Sequence, residues 1–192
     1  MTQASHILCF DFRRDFGGVA TACICTWEQD AEAGRRWAQE RGLQLSEWWW
    51  EKDFFENIPK AALSLPLPEG LVLNAWCVTE TDAEAFSEDF DYYFPKNSVL
   101  TDRMKPDDLL ACGWRALGWD ISWTGLDMSY LYTYSNPWPG AQQHLRHRLN
   151  DVGLIDNYEE CVEIINATDF SRYDPVAYIP VQLVSTLGRA HA

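Results

Sequence analysis

The chain has 192 residues, 47% of them hydrophobic and 14% aromatic. That excludes a disordered chain and allows a core without covalent staples. With 29 acids against 15 bases the net charge is −14, which disfavours direct nucleic-acid binding and adhesion to anionic membranes and favours basic protein partners.

Residues 6–12, HILCFDF, read as a strand, followed by a charged turn closed at Gly17-Gly18. Residues 19–26, VATACICT, are apolar on both faces and β-branched, so a central strand is predicted, forming a hairpin with the first. Thr26, with Gln29 three residues on, opens a helix by a capping box. Its acids (Glu28, Asp30, Glu32) come early and its bases (Arg35, Arg36, Arg41) late, as the helix dipole favours. Trp27, Ala31, Gly34, Trp37 and Ala38 form its apolar stripe, and Gly42 ends it. Residues 43–58 fit a helix capped at Ser46 or a strand. On a helix the consecutive Trp48, Trp49 and Trp50 point in three directions, so at least one ring is expected to be exposed. Pro59, Pro66 and Pro68 mark a loop.

Residues 70–78, GLVLNAWCV, read as a second buried strand. Thr81-Asp82-Ala83-Glu84 is a capping box for a helix with Phe86, Phe90 and Tyr93 at helical spacing, ended by Pro95. Pro106 suits a first helical position. The stripe Leu109, Leu110, Cys112, Gly113, Ala116, Leu117 predicts a helix that turns at Gly118. Trp119-Asp120-Ile121-Ser122-Trp123 then alternates as a strand with Trp119, Ile121 and Trp123 on one face, and Tyr130, Tyr132 and Tyr134 repeat the pattern. Pro139 opens a helix carrying Ala141, Leu145 and Leu149 and ending at Gly153. Asp156-x-x-Glu159 caps another with Tyr158, Cys161, Val162 and Ile165. Residues 176–184, VAYIPVQLV, form a last strand, which Pro180 places at an edge or bulge, and the tail from Ser185 is expected to fray. Strands and helices mix without strict β-α-β alternation. The expected fold is therefore one α+β domain over 1–192, its core at roughly 6–184, with helices packed on a mainly antiparallel or mixed sheet.

Little in the sequence carries catalytic chemistry. His144-x-x-His147 is half a metal site at most, on a polar helix face. Cys23-x-Cys25 has no second pair, and the six cysteines mostly lie in apolar runs. They read as buried thiols in a reducing compartment, although a disulfide framework fits the count. Asp11, Asp15 and Asp120 are candidate paired carboxylates of a hydrolase, but chance pairs are expected among 29 acids. No nucleophile, dinucleotide or phosphate-loop motif occurs, so no cofactor, metal or catalytic residue is assigned. A basic leader and a bilayer-spanning run are also missing from the sequence, so a cytoplasmic protein is expected.

The sharpest feature is Glu80–Asp91, ETDAEAFSEDFD, with six acids (Glu80, Asp82, Glu84, Glu88, Asp89, Asp91) and no base. A second acidic-aromatic run, EWWWEKDFFE, includes Trp48, Trp49, Trp50, Glu51 and Asp53. A third set is Asp156, Glu159, Glu160 and Glu163. Each is readable as the solvated face of a helix. Together they describe an acidic surface with aromatic anchors, suited to a fast, tight interface with a basic protein.

Gly17-Gly18, the segment around Trp27 and Gly118–Trp123 resemble, over roughly 6–184, the immunity proteins of bacterial polymorphic-toxin and type VI secretion systems, more narrowly the immunity protein 52 family. The resemblance implies a non-enzymatic inhibitor that binds its cognate toxin, here a basic nuclease of restriction-endonuclease-like fold. The alternatives are a small carboxylate-using hydrolase and a phage-type DNA mimic. An exposed Trp48–Trp50 would also serve a homodimer.

Overall fold

Residues 3–14, 28–42, 63, 65–89, 104–123, 148–168 and 178–187 are described by a computed structural model, in which they form four strands and four helices. In chain order these are β1 (His6–Arg14), α1 (Glu28–Gln39), β2 (Leu71–Val78), α2 (Glu80–Asp89), α3 (Pro106–Ala111), β3 (Arg115–Trp123), α4 (Tyr158–Ala167) and β4 (Tyr178–Ser185). The strands form an antiparallel sheet in the order β1-β2-β4-β3, so the fold is α+β. The predicted strand at 19–26, the 43–58 segment, the tyrosines at 130–134 and the helix start at Pro139 lie outside the described residues.

β2 is buried at every position, and β4 is buried at all but Tyr178 and Gln182. Both faces of the sheet centre are therefore covered, as their near-continuous apolar runs require. β3 shows the same thing differently. Trp119 and Ile121 are buried as the alternation predicts, but so are Asp120 and Ser122 between them. These two polar residues do not face water.

α1 packs on β1. Phe12 lies against Gly34, and its ring meets Trp37 edge-on at 5.3 Å. The Trp37 indole N–H donates to the Pro66 carbonyl at 2.9 Å, tying the helix to the loop before β2. Arg41 covers the other side of that indole, 4.6 Å from its centroid, a cation–π contact. Gly42, at φ 66°, ends the helix region.

Five readings need correction. The turn after α3 falls at Gly113 (φ 85°), with Cys112 as the C-cap, so Ala116 and Leu117 belong to β3 and are not a helical stripe. Gly118 instead follows a bulge at Leu117 within β3. β4 is central, not an edge. Pro180 is tolerated because β2 pairs only with Gln182–Ser185, so Pro180 faces a ladder on the β3 side alone. The tail does not fray at Ser185. Thr186 N–H donates to the Leu73 carbonyl (3.1 Å) and its hydroxyl accepts from Leu73 N–H (3.0 Å). From Leu149 the chain is a turn and not a helix: Leu149 bridges to Ile155, and Gly153 takes φ 81°. Both predicted caps are displaced. Thr79, not Thr81, caps α2, and Asn157, not Asp156, caps α4.

Candidate functional site

The first turn of α4 is built by Asn157. Its side chain accepts from Glu160 N–H at 2.9 Å and donates to the Glu160 carboxylate at 3.4 Å. A half-exposed ion pair from Arg148 reaches the other Glu160 oxygen at 3.5 Å. Asp156 is unavailable as a cap because its carboxylate accepts from the Asn150 amide at 2.9 Å. These groups, with Glu159 and Glu163, line an open groove of about 580 Å³. Four carboxylates face it against one guanidinium. Glu159 and Glu163 are exposed one turn apart, a like-charge pair that costs the helix about 0.2–0.5 kcal/mol.

Tyr158 turns the other way. Its ring meets Trp119 edge-on at 5.2 Å, and its hydroxyl donates to Asp82 at 3.4 Å. Burial, then the neighbouring Asp82 charge, raises this phenol above its ordinary range. Asp82 is itself buried, accepting from the Thr79 hydroxyl at 2.6 Å, while its N–H donates back to that oxygen at 3.1 Å. Asp82 is therefore a capping and linking group, not part of an outward surface. The contact it makes joins the first turn of α2 to the first turn of α4. Glu80 and Glu84 are exposed on α2. Thus α2 and α4, which carry two of the three acidic sets, are joined through Asp82 and Tyr158.

Other candidates fall differently. The side chains of Glu88 and Asp89, and all of Asp91, Trp48, Trp49, Trp50, Glu51 and Asp53, lie outside the described residues, as do Asp15, Cys23, Cys25, His144 and His147. Asp11 and Asp120 are buried on β1 and β3. Two strands separate them, roughly 14 Å at the usual inter-strand spacing, so they form no catalytic pair. Cys77 and Cys161 are buried free thiols whose pKa burial drives far upward, with the Asp120 and Glu160 charges adding to the effect at Cys161. Such thiols do not ionise to nucleophiles near neutral pH. Among the described residues no three His, Cys, Asp or Glu side chains are placed to hold a metal, and no helix is long and apolar enough to cross a membrane.

Asn150 is the site residue that sequence reasoning misses. The only sequence signal was the turn-like Asn150-Asp151-Val152-Gly153, which the apolar spacing of Ala141, Leu145 and Leu149 masked by extending a helix across it. No protein-family model, curated protein or solved structure matches the chain.

Proposed function

We propose that this protein is a cytoplasmic, non-enzymatic immunity protein that binds and neutralises a basic toxin, a nuclease effector of the secreted-toxin class. The observation that carries the reading is the junction of the acidic first turns of α2 and α4. Glu80 and Glu84 are exposed on α2, Asp156, Glu159 and Glu163 are exposed at and along α4, and the Asp82–Tyr158 contact joins the two helices. First-turn acids partly serve the helix dipoles. Glu163 lies beyond the first turn, so the helix dipole does not account for it. A surface of this kind attracts Lys and Arg at the phosphate-binding cleft of a nuclease and occupies the place of the substrate's phosphates. It also steers encounter, with association that slows as salt rises.

The test is to mix the purified protein with the product of the neighbouring toxin gene. A complex at micromolar concentration and low salt is expected, and the double reversal Glu159→Lys with Glu163→Lys should slow association at least tenfold while leaving the thermal midpoint within a few degrees. No complex under those conditions would defeat the proposal. An unchanged rate in the double variant would remove the α4 surface from it.

A further inference from the structure

We propose that Leu149–Asp156 is a clasp on the edge of β3, closed by the Leu149–Ile155 bridge and the Asn150 N–H to Leu154 carbonyl bond and locked by the Asn150 carboxamide, and that it makes the β3 bulge and the first turn of α4 open as one unit. This inference concerns the fold's own motion and holds whatever occupies the groove.

The clasp has three matched parts. The first is the bulge. Leu117 is the extra residue between Ala116 and Gly118, and its carbonyl accepts from the Asn150 amide at 2.9 Å. The second is Gly118, at φ 141°. A Cβ there would lie 2.8 Å from the Ile155 carbonyl oxygen, 2.8 Å from Leu154 Cβ and 2.9 Å from the Asn150 amide nitrogen. Only a glycine lets the clasp come this close. The third is Asn150 itself. Its amide donates to Leu117 and to Asp156, and its oxygen accepts from Val152 N–H at 3.1 Å and Leu154 N–H at 3.0 Å. All four hydrogen-bonding positions of the carboxamide are used.

Closure places the backbone of Ile155 beside Trp119. Trp119 N–H donates to the Ile155 carbonyl at 2.7 Å, and Ile155 N–H returns the bond at 2.9 Å. Leu154 and Ile155 are fully buried beneath. The chain then passes through Asp156, held by Asn150, straight into Asn157, which caps α4. Loss of the Asn150 contacts therefore frees the β3 edge and the start of α4 together. A contiguous segment whose contacts form and break together is a local cooperative unit.

Amide hydrogen exchange on the full chain tests this. In the wild type, Trp119, Ile155 and Glu160 should share one opening, with protection equal within about threefold and below that of Ala75 in β2. Asn150→Ala should speed exchange at all three by about tenfold or more, leaving Ala75 unchanged. Asn150→Asp is the isosteric variant. It keeps the oxygen facing Val152 and Leu154 but sets a carboxylate oxygen against the Leu117 carbonyl and the Asp156 carboxylate, and the same three amides should accelerate. Acceleration at Trp119 and Ile155 without Glu160 overturns the coupling. No change at Trp119, or an equal change at Ala75, overturns the clasp.

Discussion

Gly34 shows how tightly single positions fix the packing. A Cβ there would lie 2.5 Å from Phe12 Cδ2, inside any real contact, and the Phe12 ring is buried and held against Trp37. Gly34→Ala gains about 0.5–1 kcal/mol of helix propensity but overpacks by about 1–3 kcal/mol. A net loss of about 1–2 kcal/mol is expected in urea unfolding, and a gain in stability would show that α1 has room to move off β1. The buried thiols set a second residue-scale expectation. An unfolded cysteine ionises near pH 8.5, whereas burial raises the folded pKa of Cys77 and Cys161. Above that pH the folded state holds more protons than the unfolded state, so stability, complete at neutral pH, falls as pH rises. Each thiol contributes about 1.4 kcal/mol per pH unit. Urea melts at pH 8 and pH 10 should show that fall, and Cys161→Ala should lessen its slope. The apolar settings of these cysteines were readable in the sequence. The role of Gly34 was only half readable, because its place on the apolar stripe says nothing of a ring pressed onto it.

At the scale of elements, type was legible and phase was not. The apolar runs at 71–78 and 178–185 became strands because β-branched residues pack on a pleated, buried surface. Helix starts slipped by one or two residues because several Ser, Thr, Asp and Asn side chains offer the same cap chemistry. What selects among them is where the preceding strand ends or which side chain is already engaged. β2 runs to Val78, so Thr79 is the first residue able to cap α2, and Asn150 has taken Asp156. Thr79→Ala removes the cap, worth about 0.5–2 kcal/mol, and strips a hydrogen bond from the buried Asp82 carboxylate, for an expected loss of about 2–3 kcal/mol. Thr81→Ala, at an exposed position, should stay within about 0.5 kcal/mol. Equal losses in the two variants would return the cap to Thr81. Pro180 teaches the same lesson for strands. A missing N–H excludes pairing on one side at one position, and the sequence does not say that β2 stops short of it.

At the scale of the molecule, the order β1-β2-β4-β3 was out of reach of the sequence, because neighbours in a sheet are chosen by contacts between distant segments, such as Asn74 with Ser185. So was the Asp82–Tyr158 contact that joins α2 to α4, although each acidic set could be read singly. Charge is the property that composition does fix at this scale, and it yields a test that needs no partner. At −14 the folded chain repels itself, and compaction brings like charges closer than the unfolded chain holds them. Ion pairs such as Arg36–Glu32, Arg41–Glu40 and Arg148–Glu160 are partly or largely exposed. Each is worth about 0–1 kcal/mol, so screening them loses little. Sodium chloride should therefore stabilise the protein. Raising it from 20 mM to 300 mM shortens the Debye length from roughly 20 Å to below about 8 Å, and the thermal midpoint should rise by several degrees, about 2–4 °C for each kcal/mol gained. The same increment should be smaller in the Glu159→Lys and Glu163→Lys double variant, which replaces two negative charges on one face with two positive ones. A midpoint that is flat or falls with salt would mean that attractive pairs outweigh the repulsion. It would also weaken the case that the acidic face is held against folding stability for the sake of a cationic partner.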